Sequence, residues 1–148
     1  MFKIYLDCDI ILDWIIDRPQ FSIYAIQLID LIEKRKFAGY ISPLVLTNSY
    51  YIIRKEIDKN KANEFLKDSK SIFNILGISR QATMISLNNI YKDFEDDIHY
   101  NVAIENKLDF LITRNINHYK DGNIKIASAE DFLIKHHYID GTENNNTE

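Results

Sequence analysis

Apolar and polar positions along this chain change period several times, and each change marks an element. Phe2-Lys3-Ile4-Tyr5-Leu6 alternates and then runs into acids, as a buried strand does where it leaves a sheet. Asp9 is placed to cap the helix that follows, whose apolar side is Ile10, Ile11, Trp14 and Ile15, and Arg18-Pro19 ends it. From Ser22 to Lys36, Ile23, Ile26, Leu28, Ile29, Leu31 and Ile32 keep helical spacing up to a basic last turn, and Gly39 is read as the breaker. A strand over Phe37–Ile41 leads to Ser42-Pro43, a cap followed by proline at the first helical position, and a helix to about Glu56. Asp58 caps a helix to about Lys70, and Phe73–Ile78 reads as the third strand.

Ser79 opens a helix through about Ile90, and Asp93 caps another from Phe94 to Asn106 with Ile98, Val102 and Ala103 inward. Two short strands remain, Phe110–Ile112 and Ile124–Ile126, then a helix begun by Ser128 with Glu130 and Asp131 in its first turn. Strands alternating with helices predict an α/β three-layer sandwich, a central parallel sheet of about four or five strands flanked by helices. The chain has 148 residues, 46% of them apolar, enough for one domain with its own core over residues 1–139. Residues 140–148 have almost nothing to bury and read as a disordered tail.

Composition narrows the class. The single cysteine, Cys8, excludes an internal disulfide, no apolar run is long enough to span a bilayer, and the N-terminus carries no export signal. These features predict a soluble, cytoplasmic protein with no membrane partner. A net charge of −4 argues against a broad basic surface that coats nucleic acid, while Lys34-Arg35-Lys36, Arg54-Lys55 and Lys59 with Lys61 leave room for a local basic rim.

The candidate chemistry lies in three clusters. Asp7-Cys8-Asp9 follows the first strand, Glu95-Asp96-Asp97 opens a helix, and Thr113-Arg114-Asn115 follows the strand Phe110–Ile112. In open α/β sheets ligands bind beyond the carboxyl ends of the strands, so Asp7 and Asn115 share a crevice if their strands are neighbours. Two carboxylates and a neutral oxygen suit a hard divalent ion such as Mg²⁺. Successive residues of a helix diverge by about 100°, so one of Glu95, Asp96 and Asp97 points into the site, and periodicity leaves the choice open. Thr113 can hydrogen-bond a ligand carboxylate, Asn115 can hold a ligand or water, Arg114 offers a fork for phosphate, and Asn48 lines the cleft from the third helix. Asp13, one turn beyond Asp9, is a weaker candidate. His99, His118, His136 and His137 lack zinc-site spacing and are read as serving no metal. Glycine-rich phosphate loops, GxSxG and CxxC are all missing from the sequence. Asp7-Cys8-Asp9 also has the DxD form of haloacid dehalogenases, but Ile10-Ile11 stand where that family's glycine-threonine loop belongs.

In order, residues 5–13 (YLDCDIILD), 41–48 (ISPLVLTN), 93–97 (DFEDD) and 110–115 (FLITRN) resemble the PIN-domain family, most of all its VapC-type toxin ribonucleases. The resemblance spans about residues 2–135. It implies a metal-dependent endoribonuclease using Mg²⁺ or Mn²⁺, with Asp7 and Asp96 as metal ligands, Asn48, Thr113 and Asn115 completing the catalytic set, and Arg114 on the substrate. It also implies an RNA substrate, a small antitoxin partner and a homodimer. Asn48 and Asn115 stand where family members commonly have acids, and His118 replaces a further one. A catalytically weak module acting through RNA or an antitoxin is the alternative.

Overall fold

The computed structural model describes residues 1–119 and 122–139. Five parallel strands form one sheet: β1 (Lys3–Leu6), β2 (Ala38–Ile41), β3 (Asn74–Ile75), β4 (Phe110–Ile112) and β5 (Lys125–Ala127), in the order β3-β2-β1-β4-β5. Tyr5 sits opposite Tyr40 of β2 on one side and Leu111 of β4 on the other. Chain order therefore reverses beside β1, because β2 and β3 build outward on one side and β4 and β5 on the other. That switch point opens a crevice at the carboxyl ends of β1 and β4.

Helices α1 (Cys8–Ile15), α2 (Ser22–Glu33), α3 (Pro43–Glu56), α4 (Lys59–Ile72), α5 (Arg80–Asn88), α6 (Phe94–Glu105) and α7 (Ala129–Lys135) supply the crossovers and outer layers. Alternation along β1 sends Tyr5 to one face, where its ring meets His99 of α6, and Phe2 to the other, where it meets Phe132 of α7. Ile4, Tyr5, Leu6, Leu111 and Ile112 are fully buried, the runs expected of strands covered on both faces. Among the described residues no helix is long and apolar enough to cross a membrane.

Asp58, Ser79, Asp93 and Ser128 cap α4, α5, α6 and α7, each side chain accepting from the amide three residues on. Several expectations need correction. Asp7, not Asp9, is the N-cap of α1: β1 ends at Leu6, Asp7 keeps an extended backbone, and its carboxylate accepts from the Cys8 amide at 2.6 Å. Ser42 precedes α3 without a side-chain cap bond, because its hydroxyl is engaged by Tyr5. Gly39 does not end α2. The helix stops because Arg35 turns left-handed (φ 58°), letting its amide bond Ile32 and that of Lys36 bond Leu31. Lys107 closes α6 and His137 closes α7 in the same way. Gly39 lies inside β2, where a Cβ would come within 2.9 Å of Ile32 and 3.2 Å of Phe73. Ile23 and Ile26 are exposed, since Ala25, Leu28, Ile29 and Ile32 form the inward stripe of α2. The third strand is shorter than the apolar run, because Phe73 ends α4 and the edge strand pairs only through Asn74 and Ile75. The tail at 140–148 lies outside the described residues.

Candidate active site

The crevice at the switch point gathers acids from distant parts of the chain. Asp7 leaves β1 there, buried, with Oδ1 on the Cys8 amide and Oδ2 accepting from Thr113 Oγ1 at 2.9 Å and from the Tyr119 hydroxyl at 2.9 Å. Asp96 arrives from the first turn of α6. Its Oδ1 lies 3.2 Å from the same Tyr119 hydroxyl, and its Oδ2 meets His118 Nδ1 at 2.8 Å. Two carboxylates thus converge on one oxygen atom.

That convergence has a protonic consequence. A hydroxyl carries one proton, so Tyr119 can donate to only one of the acids, and the other contact needs a proton of its own. Burial first, and then the charge of Asp7, push the Asp96 carboxyl above the usual range, against the pull of His118. Burial and the two acids hold the Tyr119 hydroxyl firmly protonated. A divalent cation between these acids would remove the need for the shared proton. The carboxylate oxygens of Asp7 and Asp96 are donors of the kind a hard divalent ion takes.

The three acids of α6 separate as helical geometry requires. Asp96 faces Tyr119, Asp97 turns back to accept from the Tyr91 amide at 2.9 Å, and Glu95 faces α3 and the start of α1. Glu95 Oε1 accepts from Asn48 Nδ2 at 2.8 Å and lies 3.4 Å from His99 Nε2 and 3.6 Å from Cys8 Sγ. His99 first, and Asn48 with it, hold the Glu95 carboxyl below its ordinary value despite partial burial. Across the crevice Asn115 Nδ2 donates to Asp9 Oδ2 at 2.7 Å, while the Asn115 amide is fixed by Thr113 Oγ1. Burial and the neighbouring Asp7 raise the Asp9 carboxyl, opposed by Arg114 and Arg18. Asp7, Thr113, Tyr119 and Asp96 are thus linked by direct contacts, Asn115 joins them through Thr113, and Asn48 through Glu95 and His99.

Arg114 is turned elsewhere. Its Nε lies 3.0 Å from Asp13 Oδ2, and its guanidinium sits 4.4 Å over the Phe21 ring, beside a small cavity lined by Ile10, Tyr24 and Ala25. Asp13 is buried, and despite the pull of Arg114 its carboxyl is pushed up to about 6 by burial. The folded state therefore binds this proton more tightly than the unfolded chain. The contribution to stability is present below about pH 4 and is lost as pH rises through about 6, a change of roughly 2 to 3 kcal/mol. Urea unfolding across that window is expected to show the slope, and Asp13→Asn to flatten it.

His99, His118 and Tyr119 were not among the residues read from sequence as site members. His99 follows Glu95 by four positions and so shares its helix face, which was the available signal. Tyr119 stands after a short 3₁₀ turn (Ile116–His118), and no periodicity points to it.

An all-parallel sheet whose switch point collects acids beside β1 and β4 defines an α/β domain of the kind that binds a ligand at its carboxyl edge. A family model described as PIN domain matches residues 3–117, and the chain belongs to that family. Ribonuclease VapC1 of Aquifex aeolicus is 27% identical over 138 residues, covering 88% of this chain and 92% of that protein. Among solved structures, DNA-bound VapBC from Salmonella typhimurium superposes with a TM-score of 0.66 at 17% identity, covering 87% of this chain and 99% of that one. VapC20 of Mycobacterium tuberculosis, described as a sarcin-ricin loop cleaving toxin, gives 0.60 at 9% identity over 73% of this chain and 86% of its own. At such identities the structural likeness speaks for the fold.

Proposed function

We propose that this chain is a divalent-metal-dependent endoribonuclease, the toxin of a toxin–antitoxin pair. The observation that carries the reading is the convergence of Asp7 and Asp96 on the Tyr119 hydroxyl, within a PIN fold akin to a ribonuclease VapC1. Mg²⁺ or Mn²⁺ held by Asp7 and Asp96 would, when bound, acidify the attacking water and offset charge growing on the phosphate.

The remaining residues position that centre. Thr113 fixes Asp7 Oδ2 and His118 fixes Asp96 Oδ2, so neither carboxylate is free to rotate. Asn48 and Asn115 each donate to a neighbouring acid, Glu95 and Asp9, so the charge these positions lack returns one contact away. Four carboxylates then surround the crevice, which favours cleavage over the alternative of a module that only binds. Phe21, Ile23 and Ile26 give α2 an exposed apolar stretch suited to a partner's helix, in keeping with the VapBC complexes of similar fold. RNA incubated with the purified, chelator-treated chain is expected to stay intact, and to be cut once Mg²⁺ or Mn²⁺ is restored. RNA bound but uncut with every divalent ion tried would favour the binding module instead.

A further inference from the structure

One edge of the crevice carries donors that a Mg²⁺ site does not need. Cys8 Sγ, a ring nitrogen of His99 and an oxygen of Asp7 all lie within 4.8 Å of one another. Beside this trio Glu95 Oε1 lies 3.4 Å from His99 Nε2 and 3.6 Å from Cys8 Sγ, and Asp7 Oδ1 is 3.6 Å from His99 Nε2. Zinc–ligand bonds of about 2.0 to 2.3 Å at tetrahedral angles demand donor–donor edges of roughly 3.3 to 3.8 Å. The three short edges seen here fall in that range. Thiolate and imidazole select borderline ions over Mg²⁺.

The histidine is oriented as a ligand. The Tyr5 hydroxyl donates to Ser42 Oγ at 2.8 Å, which leaves its oxygen to accept from His99 Nδ1 at 2.7 Å. A metal ion at Nε2 would take the place of the Nε2–H contact to Glu95 and leave the ring proton on Nδ1, where the Tyr5 oxygen accepts it. Cys8, His99 and Asp7 are buried while Glu95 is half-exposed, so the cluster has a dry floor and one open side for entry.

We infer that Cys8, His99 and Asp7 form the core of a tetrahedral site for one borderline divalent ion of the Zn²⁺ class, which the half-exposed Glu95 side chain turns to complete, sharing Asp7 with the oxygen-lined site of Asp96. Asp7 offers Oδ1 to one and Oδ2 to the other. Binding expels the Cys8 thiol proton to solvent, and the thiolate balances part of the added charge. The inference does not depend on nuclease activity.

Co²⁺ added to the metal-stripped full chain tests it. The expected result is one equivalent bound, with a near-ultraviolet thiolate-to-Co²⁺ charge-transfer band and the intense visible bands of a tetrahedral ion, displaced by Zn²⁺ and untouched by excess Mg²⁺. Cys8→Ser, nearly isosteric, should abolish the charge-transfer band and weaken Zn²⁺ binding by about 100-fold or more, since loss of even an outer-shell partner costs about 10- to 100-fold. Asp96→Asn should leave the band in place. An octahedral Co²⁺ spectrum without a thiolate band, or Zn²⁺ affinity unchanged in Cys8→Ser, would overturn the site. A chain that cuts no RNA but gives the band leaves it standing.

Discussion

Asp7→Asn is expected to lower RNA cleavage by about 10³-fold or more at saturating Mg²⁺, equivalent to roughly 4 kcal/mol of lost transition-state stabilisation. The substitution keeps the shape and one acceptor oxygen. The N-cap bond to the Cys8 amide can therefore persist through Oδ1, while the Thr113 and Tyr119 hydroxyls turn to suit the new amide. What disappears is the negative charge at the point where the paths from β1, β4 and α6 meet. Asp97→Asn is the control, because Asp97 belongs to the same acidic run yet faces the Tyr91 amide rather than the crevice. It should cost some stability and change cleavage by no more than a few-fold. Initial rates on one RNA for both variants, with circular dichroism to confirm folding, decide the matter: equal losses would mean that bulk acidity governs activity, and full activity in Asp7→Asn would remove the proposed centre.

The alternation of Phe2–Leu6 and the four side-chain caps at Asp58, Ser79, Asp93 and Ser128 made the architecture legible, because strand period and N-cap chemistry are local properties of adjacent residues. Helix ends were less so. Arg35, Lys107 and His137 take left-handed conformations usually given to glycine, and this chain has only 4 glycines, so the signal for stopping a helix was missing at those places. That Asp7 rather than Asp9 caps α1 was hidden for a different reason. A carboxylate can serve a helix amide through one oxygen and a distant hydroxyl through the other, and no spacing rule separates the two uses. In the crevice, order along the chain identified the acids but not their company. Tyr119 and His118 meet Asp96 across more than twenty residues, and His99 meets Tyr5 across ninety-four. Such contacts are set by the strand order beside β1 and by nothing in the local pattern. Arg114 shows the converse: its place after β4 suggested a phosphate contact, and its side chain lies instead against Asp13 and Phe21.

The exchange of acid and amide between Asn48 and Glu95 makes the second strong prediction. Their side chains meet at 2.8 Å, so a carboxylate carried by either one occupies nearly the same space. Glu95→Gln removes the charge and should lower cleavage by about 100-fold, some 2.7 kcal/mol. Asn48→Glu alone sets a second carboxylate against the first, which raises the proton affinity of one of them and destabilises the fold near neutral pH. Combined, Asn48→Glu with Glu95→Gln restores one acid and one amide in reversed positions, and the double variant should recover to within about tenfold of the parent. Two harmful changes that cancel give a large coupling energy, as direct contact requires. Additive losses in the double variant would mean that Glu95 acts through its own position on α6, as a ligand of the thiolate site or a contact to RNA, and that the charge at Asn48 is not interchangeable with it.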